Sequence, residues 1–387
     1  AKLNVMDVIY LDNAATTPIL PDVVDAMHQT LNTCYGNPSS VHAAGRSAKV
    51  KVESARKYIA KQLGVLPQEI IFTSGGTEGD NTILQCAVDH LGVKHIISSP
   101  IEHHAVLHPL EHLASQGKIS LHLVKILPNG LPDMNDLEKL LSETPDKKLV
   151  SLMHINNEVG TVLDIESVGS LCHNYNALFH SDTVQSIGHF PMNLGALPID
   201  FAVASAHKFH GPKGVGFLYA RKQTALGALL LGGAQERGMR AGTESVHNIV
   251  GMEVALRSSY KTMEADTEKL KILKTHCMQS LQEALPGTVF NGACSDFDCS
   301  THTIVNARLP INEKKAQLLL FHLDLQGICC SKGSACQSGS ELGSHVLNTL
   351  LTKEENKSPS LRFSFSAHNS KEEIDKLVDV LVAYVNS

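Results

Sequence analysis

The sequence predicts an α/β protein in which a mainly parallel sheet is covered by helices, with a second, smaller α+β domain. Apolar strand-like runs alternate with helix-like segments through the first two thirds of the chain, which is typical of βαβ units. After about residue 255, charged helical segments mix with shorter strands. We therefore expect a large domain over residues 15–255 and a small domain over residues 256–387.

Hydrophobic spacing predicts the individual elements. Apolar residues recur at every third or fourth position over residues 21–32 and 44–63, as on one face of a helix, and Gly64 is a suitable stop for the second helix. Further helices are predicted at residues 77–91, 263–284, 313–325 and 371–385. Strands are predicted near residues 70–72, 95–99, 120–125, 148–155, 177–181 and 200–205.

Composition narrows the possible functions. The 387 residues are 43% hydrophobic and 19% charged, which is ordinary for a globular protein. Their net charge of −6 does not suggest nucleic-acid binding, so small molecules or proteins are the expected partners. No apolar run reaches the roughly 18 residues of a membrane span, and no signal-peptide pattern is present, so a cytoplasmic location without membrane contact is expected. Nine cysteines without paired spacing favour reduced thiols and no metal site.

Polar residues follow three of the predicted strands. In chain order, these strands lead into Asn157, Asp182 and Lys208. Because the carboxyl ends of parallel strands meet at one edge of a sheet, a ligand site is expected there. Lys208 stands between hydrogen-bonding residues and a Gly-Pro turn, which suits a lysine that must be held and partly desolvated to form an imine with pyridoxal 5'-phosphate (PLP).

Further segments carry a family resemblance across nearly the whole chain. They occupy residues 10–18, 36–40, 72–78, 102–103, 156–158, 240–244 and 333–336. In this order they resemble the NifS/IscS-like cysteine desulfurases, which are fold-type I PLP enzymes of the class V aminotransferase family. The resemblance implies conversion of L-cysteine to L-alanine, with sulfur passed to an enzyme cysteine and then to an acceptor or scaffold protein for iron–sulfur cluster assembly or tRNA thiolation. It also implies a homodimer, and it joins the N-terminal residues 1–14 to the small domain of residues 256–387.

The segment Ser74-Gly75-Gly76-Thr77 joins a predicted strand to a helix, and helix N-termini of this kind bind phosphate. A plain helix cap at Thr77 is the alternative. The resemblance places the PLP phosphate here. It adds contacts from Ser205 and His207 and, across a dimer, from Thr243 of the neighbouring subunit.

The resemblance also assigns residues around the cofactor ring. Asp182 would hold the ring nitrogen protonated, although an aspartate at a strand end also serves as a helix cap. Gln185 would bond the phenolic oxygen of the ring, and Asn157 would contact cofactor or substrate. His103 would stack on the ring, and a near-neutral pKa is expected to let it move a thiol proton. The adjacent His104 is the competing assignment.

Cys336 is the candidate sulfur acceptor. It lies in a segment rich in glycine and serine, residues 327–344, which predicts a mobile tether for a reactive thiol; the alternative is an incidental loop cysteine. Lys332 and Gln337 replace the more usual Ser and Thr of the resembling loop. Arg362 resembles the clamp for the substrate carboxylate, with a surface ion pair as the alternative.

Three other functions remain open at this stage. A selenocysteine lyase shares the resembling fold and need not use Cys336. Another PLP-dependent aminotransferase or lyase of the same fold would need no mobile cysteine. A catalytically silent scaffold would keep the fold for protein binding alone.

Overall fold

The structure is a computed structural model that describes residues 8–332 and 343–386. Its helices are α1 Pro21–Thr33, α2 Ala43–Gln62, α3 Gly76–Asp89, α4 His104–Ser115, α5 Met134–Glu143, α6 Ile165–Asn174, α7 Val246–Ala284, α8 Glu313–Ala316, α9 Leu319–Leu325, α10 His345–Leu350 and α11 Lys371–Asn386. Its strands are β1 Ile9–Tyr10, β2 Ile70–Thr73, β3 His95–Ser98, β4 Ser120–Leu123, β5 Lys148–Ser151, β6 Leu178–Asp182, β7 Phe201–Ser205, β8 Gly216–Ala220, β9 Val289–Phe290, β10 Ile304–Arg308, β11 Ile328–Cys329 and β12 Ser360–Ser364.

A seven-stranded sheet carries the larger part of the fold. Its strand order is β2-β8-β7-β6-β5-β3-β4, and the five strands from β7 to β4 run parallel. β8 is antiparallel to both β7 and β2. This confirms the mainly parallel sheet covered by helices. β5, β6 and β7 are adjacent, so the residues that follow them come together at one edge.

The apolar side chains form two main regions. One covers both faces of the large sheet, with α1, α2 and the first half of α7 on one face and α3 and α4 on the other. The other joins β1, β11 and the three-stranded antiparallel sheet of β9, β10 and β12 to α9 and α11. α7 links the two, since Leu256 packs in the first region and Leu270 in the second.

Some element boundaries differ from the prediction. The helix predicted from residue 263 begins at Val246. The strand predicted over 148–155 ends at Ser151, after which the chain follows β6 through isolated hydrogen bonds to the carbonyl oxygens of His180 and Asp182. The helix predicted over 313–325 is divided into α8 and α9. Among the described residues no helix has the length and apolar character needed to span a bilayer.

Candidate active site

A cavity of about 230 Å³ lies at the carboxyl ends of β5, β6 and β7. Ten of the twelve site residues predicted from the sequence line it. One exception is Thr243, which is exposed and does not line the cavity of its own chain. The other is Cys336, which lies outside the described residues. The topology of the sheet therefore brings together side chains that are far apart in the sequence.

One end of the cavity is suited to an anion. α3 begins there with Gly76 and Thr77, and its N-cap residue, Gly75, has no side chain that could accept a hydrogen bond from the first helical turn. The N–H groups of the first helical turn therefore need an acceptor, and the helix dipole favours a negative one. Ser205, at the end of β7, adds a hydroxyl group to the same wall.

Two glycines let α3 start this close to the sheet. Gly75 has a φ of +152°, which residues with a side chain rarely adopt. A Cβ on Gly76 would lie 2.6 Å from Cγ2 of Val184, so a larger residue would force the start of α3 and Val184 apart. The glycines thus serve the close approach of backbone to the cavity.

His207 lines the cavity as a neutral imidazole. Burial, together with the charges of Lys208 and Lys213, lowers the pKa of His207 to about 4. Its Nδ1 lies 3.0 Å from Oγ1 of Thr16, which fixes the ring against the N-terminal segment. His207 can therefore donate or accept a hydrogen bond here without adding a positive charge.

Lys208 lies on a short 3-10 helix, Ala206–Lys208, that directly follows β7. The side chain is half-buried, and its Nζ donates to the carbonyl oxygens of Ala14 and Ala15 at 2.7 and 2.8 Å. The backbone carbonyl of Lys208 is held by Nε2 of His189 at 2.9 Å. The ammonium group is thus fixed at the cavity wall, where its charge acts on Asp182.

Asp182 ends β6 and is buried. Its Oδ1 accepts a hydrogen bond from the backbone N–H of Val184 at 2.9 Å. Burial raises the pKa of Asp182, while the Val184 N–H and the charge of Lys208 oppose the rise. Such a carboxylate gains from facing a further cationic group. The neighbouring Gln185 is also buried, and its Nε2 donates to the carbonyl oxygen of Ala14 at 2.9 Å.

His103 is the residue before α4, and its side chain lines the cavity. Its Nδ1 accepts the backbone N–H of Ala105 at 3.1 Å, so Nε2 carries the ring proton of the neutral form. Burial first, and then the charge of Lys208, lower the pKa of His103 to about 4. The expected near-neutral pKa is therefore wrong, and His103 is a neutral hydrogen-bond donor at Nε2.

Arg362 is almost fully buried on β12, at 1% exposure, so the surface ion pair considered above is excluded. Its guanidinium donates to Oδ1 of Asp12 at 2.8 Å and to the carbonyl oxygen of Asn157 at 2.7 Å. Its Nε has no acceptor among the described residues. Arg362 is thus held in one orientation and keeps a donor for a carboxylate in the cavity.

Two features of the site escaped the sequence prediction. Asp80, one turn beyond Thr77 on α3, lines the cavity and is 1% exposed. The Ala14-Ala15 backbone supplies the oxygens that hold Lys208 and Gln185. The motif at residues 10–18 contributed to the family resemblance, but it did not indicate that backbone carbonyl oxygens of this segment would bind site residues.

A model of the aminotransferase class-V family matches residues 9–377. The chain belongs to the class-V aminotransferases. A protein named cysteine desulfurase IscS from Dictyoglomus turgidum is 39% identical over 381 residues, covering 96% of this chain and 93% of the relative. One named putative cysteine desulfurase IscS 1 from Bacillus subtilis is 40% identical over 373 residues, covering 95% and 96%.

Solved structures of similar proteins have the same fold as this chain. A NifS-like protein has a TM-score of 0.89 at 33% identity and covers 98% of this chain and 99% of its own. A structure described as SspA in complex with cysteine has a TM-score of 0.81 at 29% identity and covers 94% of this chain and 100% of its own. The class-V fold therefore extends over both apolar regions.

Proposed function

We propose that this class-V protein is a PLP-dependent cysteine desulfurase that forms L-alanine and transfers sulfur to Cys336. The observation that carries the proposal is the single cavity in which Lys208, Asp182 and the uncapped N-terminus of α3 meet. Relatives named cysteine desulfurase cover nearly the full chain, and one similar structure is described as a complex with cysteine. These names support the reaction, and the cavity supports the cofactor.

The residues of the cavity fit PLP at both ends. The uncapped first turn of α3, with Ser205 and His207, offers donors for a phosphate. At the other end, the raised pKa of buried Asp182 fits a partner that carries a positive charge, as a protonated pyridine nitrogen does. Lys208, which lines the same cavity and whose Nζ is held by the carbonyl oxygens of Ala14 and Ala15, is the amine that would bind the aldehyde carbon.

PLP, when bound, would supply an electron sink that stabilises negative charge at the α-carbon of an amino acid. Asp182 would keep its carboxylate directed at the ring nitrogen. Lys208 Nζ would take the proton from the α-carbon, and Ala14 and Ala15 already hold this nitrogen at the cavity wall. Val184 and Met153 contribute apolar surface that excludes water from the same space.

His103 and Arg362 would orient the substrate. Arg362 is locked by Asp12 and presents Nε to a carboxylate, while Asn157 lines the cavity beside it. His103 would stack its neutral ring over the bound cofactor and donate from Nε2. We propose that its role is to hold and return a proton at that atom rather than to accept one first, because Nδ1 is occupied by the Ala105 N–H.

The sulfur step assigned to Cys336 balances without an added oxidant. The Cys336 thiolate would attack the sulfur of L-cysteine, so that a sulfur–sulfur bond forms and the carbon–sulfur bond breaks. The bonding electrons stay with the carbon fragment, which takes a proton and leaves as L-alanine. The enzyme keeps a persulfide, whose outer sulfur would pass to an acceptor protein for iron–sulfur assembly or tRNA thiolation.

We also propose a homodimer in which Thr243 reaches the partner's phosphate site. Support comes from the exposure of Thr243 and of the apolar side chains Tyr35, Val41 and Leu231, which are 86%, 87% and 86% exposed in a single chain. The domain division at residues 15–255 against 1–14 and 256–387 is likewise proposed, with α7 passing between the two parts.

The reaction is tested by measuring alanine formed from L-cysteine with dithiothreitol. Cys336→Ala should abolish alanine formation from L-cysteine while leaving PLP binding intact, because the acceptor thiol is lost and the cavity is not. The same variant assayed with L-selenocysteine separates the alternatives, since a selenocysteine lyase retains selenide release. Full alanine formation from L-cysteine by Cys336→Ala would reject the assigned sulfur acceptor.

A further inference from the structure

Asp80 is a buried carboxyl group of the cavity that the proposed reaction does not use. It is 1% exposed, and neither of its carboxylate oxygens accepts a hydrogen bond from a described residue. A buried carboxylate without donors is strongly disfavoured relative to its protonated form. The position of a buried Asp80 carboxyl group on the wall of this cavity therefore requires a physical explanation.

His180 supports Asp80 from the sheet side. Nε2 of His180 lies 3.2 Å from Oδ1 of Asp80, and both side chains are fully buried. On its other side, Nδ1 of His180 lies 2.8 Å from Oγ of Ser151. A line of polar groups thus runs from β5 through β6 to α3, and the 3.2 Å between His180 Nε2 and Asp80 Oδ1 is within hydrogen-bonding distance.

Three carboxyl groups, Asp80, Asp182 and Glu102, lie near one another here, and Lys208 is the cation that acts on Asp182. Burial, then Asp182 and then Glu102 raise the pKa of Asp80 well above its ordinary value. Burial raises the pKa of Glu102 to about 8, and burial lowers the pKa of His180 to about 3. The negative charge is therefore best placed on Asp182, beside Lys208.

We propose that Asp80 is a positioning residue that holds a proton against His180 and so leaves Asp182 as the single carboxylate facing the cofactor ring. The protonated oxygen of Asp80 donates to Nε2 of His180, whose Nδ1–H donates to Ser151. A second carboxylate at Asp80 would increase the proton affinity of Asp182 and remove the charge that its role requires. This positioning role rests on the proposed function, whereas the protonation of Asp80 in the folded chain is independent of it.

The proton is tested by denaturant unfolding of the full chain, without cofactor, at a series of pH values. Asp80→Asn keeps a neutral group that can donate to His180, and Asp89→Asn, an exposed site on the same helix, is the control. Above pH 3.8 the folded wild type should retain one proton that the unfolded chain releases, so its stability falls as pH rises. Asp80→Asn lacks this loss.

The unfolding constant of the wild type should therefore increase about tenfold per pH unit relative to that of Asp80→Asn, while Asp89→Asn follows the wild type. Parallel pH profiles for Asp80→Asn and the wild type would overturn the proposal. PLP affinity near pH 7 should be unchanged in Asp80→Asn, and a tenfold weakening would show that a charged Asp80 is needed. Failure of the wild type to bind PLP would overturn the proposed function and the positioning role, but not the proton count.

Discussion

His103 serves two purposes with one ring. Its Nδ1 caps α4 through the Ala105 N–H, and the ring lines the cavity with its proton on Nε2. The sequence indicated that His103 is a site residue. Its pKa, however, is set by burial and by the charge of Lys208, and both depend on residues that are distant in the sequence. A residue type can thus be predicted from a motif when its pKa cannot.

The two purposes can be separated by substitution. His103→Asn keeps a side-chain oxygen that can cap α4, whereas His103→Ala removes both the cap and the ring. Both variants should lose about 10²-fold or more in kcat for alanine formation, because neither retains the imidazole. Only His103→Ala should also lose about 1 kcal/mol of unfolding free energy, measured by denaturant titration.

Acid pH gives a further check on His103. In the unfolded chain His103 is protonated as the pH falls through its ordinary pKa of 6.5, whereas in the folded chain it is protonated only near pH 4. The wild type should therefore lose more stability than His103→Asn as pH falls from 6.5 to about 4. A His103→Asn variant that retains most of the wild-type kcat would contradict the assigned role.

At the scale of elements, the loop before α7 is held by a buried ion pair. Arg56 on α2 donates to both carboxylate oxygens of Glu236 at 2.7 and 2.8 Å, and Phe72 on β2 donates its N–H to the same carboxylate at 2.8 Å. Glu236 and Arg237 both have positive φ, so this loop needs the pair to keep its shape. Farther along the loop, Arg240 pairs with Glu78 in the first turn of α3.

Glu236→Gln should destabilise the protein strongly. The substitution removes the buried counter-charge of the Arg56 guanidinium and leaves only Glu53, a partly exposed carboxylate at 3.1 Å, which costs about 3 kcal/mol. Glu143→Gln is the matched control, because it breaks an exposed pair with Lys139 and should change stability by less than about 1 kcal/mol. Denaturant titration measures both, and equal effects of the two substitutions would contradict the account of this loop.

Much of the large sheet could be predicted, because its strands are continuous apolar runs separated by helical spacing. β8 was not predicted, although residues 215–220 form an apolar run, because it runs antiparallel after a glycine-containing turn and breaks the βαβ alternation. Asp80 could not be predicted to face a cavity, since a polar helical residue ordinarily faces solvent. The partners Arg362 and Asp12 stand 350 residues apart, beyond any local pattern.

At the scale of the whole molecule, the proposed dimer predicts complementation between two impaired variants. Lys208→Ala and Thr243→Ala should each be impaired when pure. If Thr243 serves the partner's site, a mixed dimer contains one site with both defects and one site with neither. Unfolding and refolding the two variants together should therefore restore about a quarter of the wild-type activity, as half of the dimers are mixed and each has one intact site.

Two outcomes would contradict this arrangement. No recovery on mixing, with dimers confirmed by light scattering, would place Thr243 in the site of its own chain. A monodisperse monomer that binds PLP and forms alanine would reject the dimer itself. Wild-type chain mixed with Lys208→Ala is the control for refolding losses.

The central claim is that Lys208 binds PLP covalently in the cavity at the carboxyl ends of β5, β6 and β7. Borohydride reduction of the PLP-loaded protein, followed by proteolysis and mass spectrometry, identifies the lysine that carries the cofactor. We predict that the modified peptide contains Lys208 and that Lys208→Ala carries no modification. Attachment of PLP to a different lysine would contradict the account. So would a protein that binds PLP but carries it on no lysine after borohydride reduction.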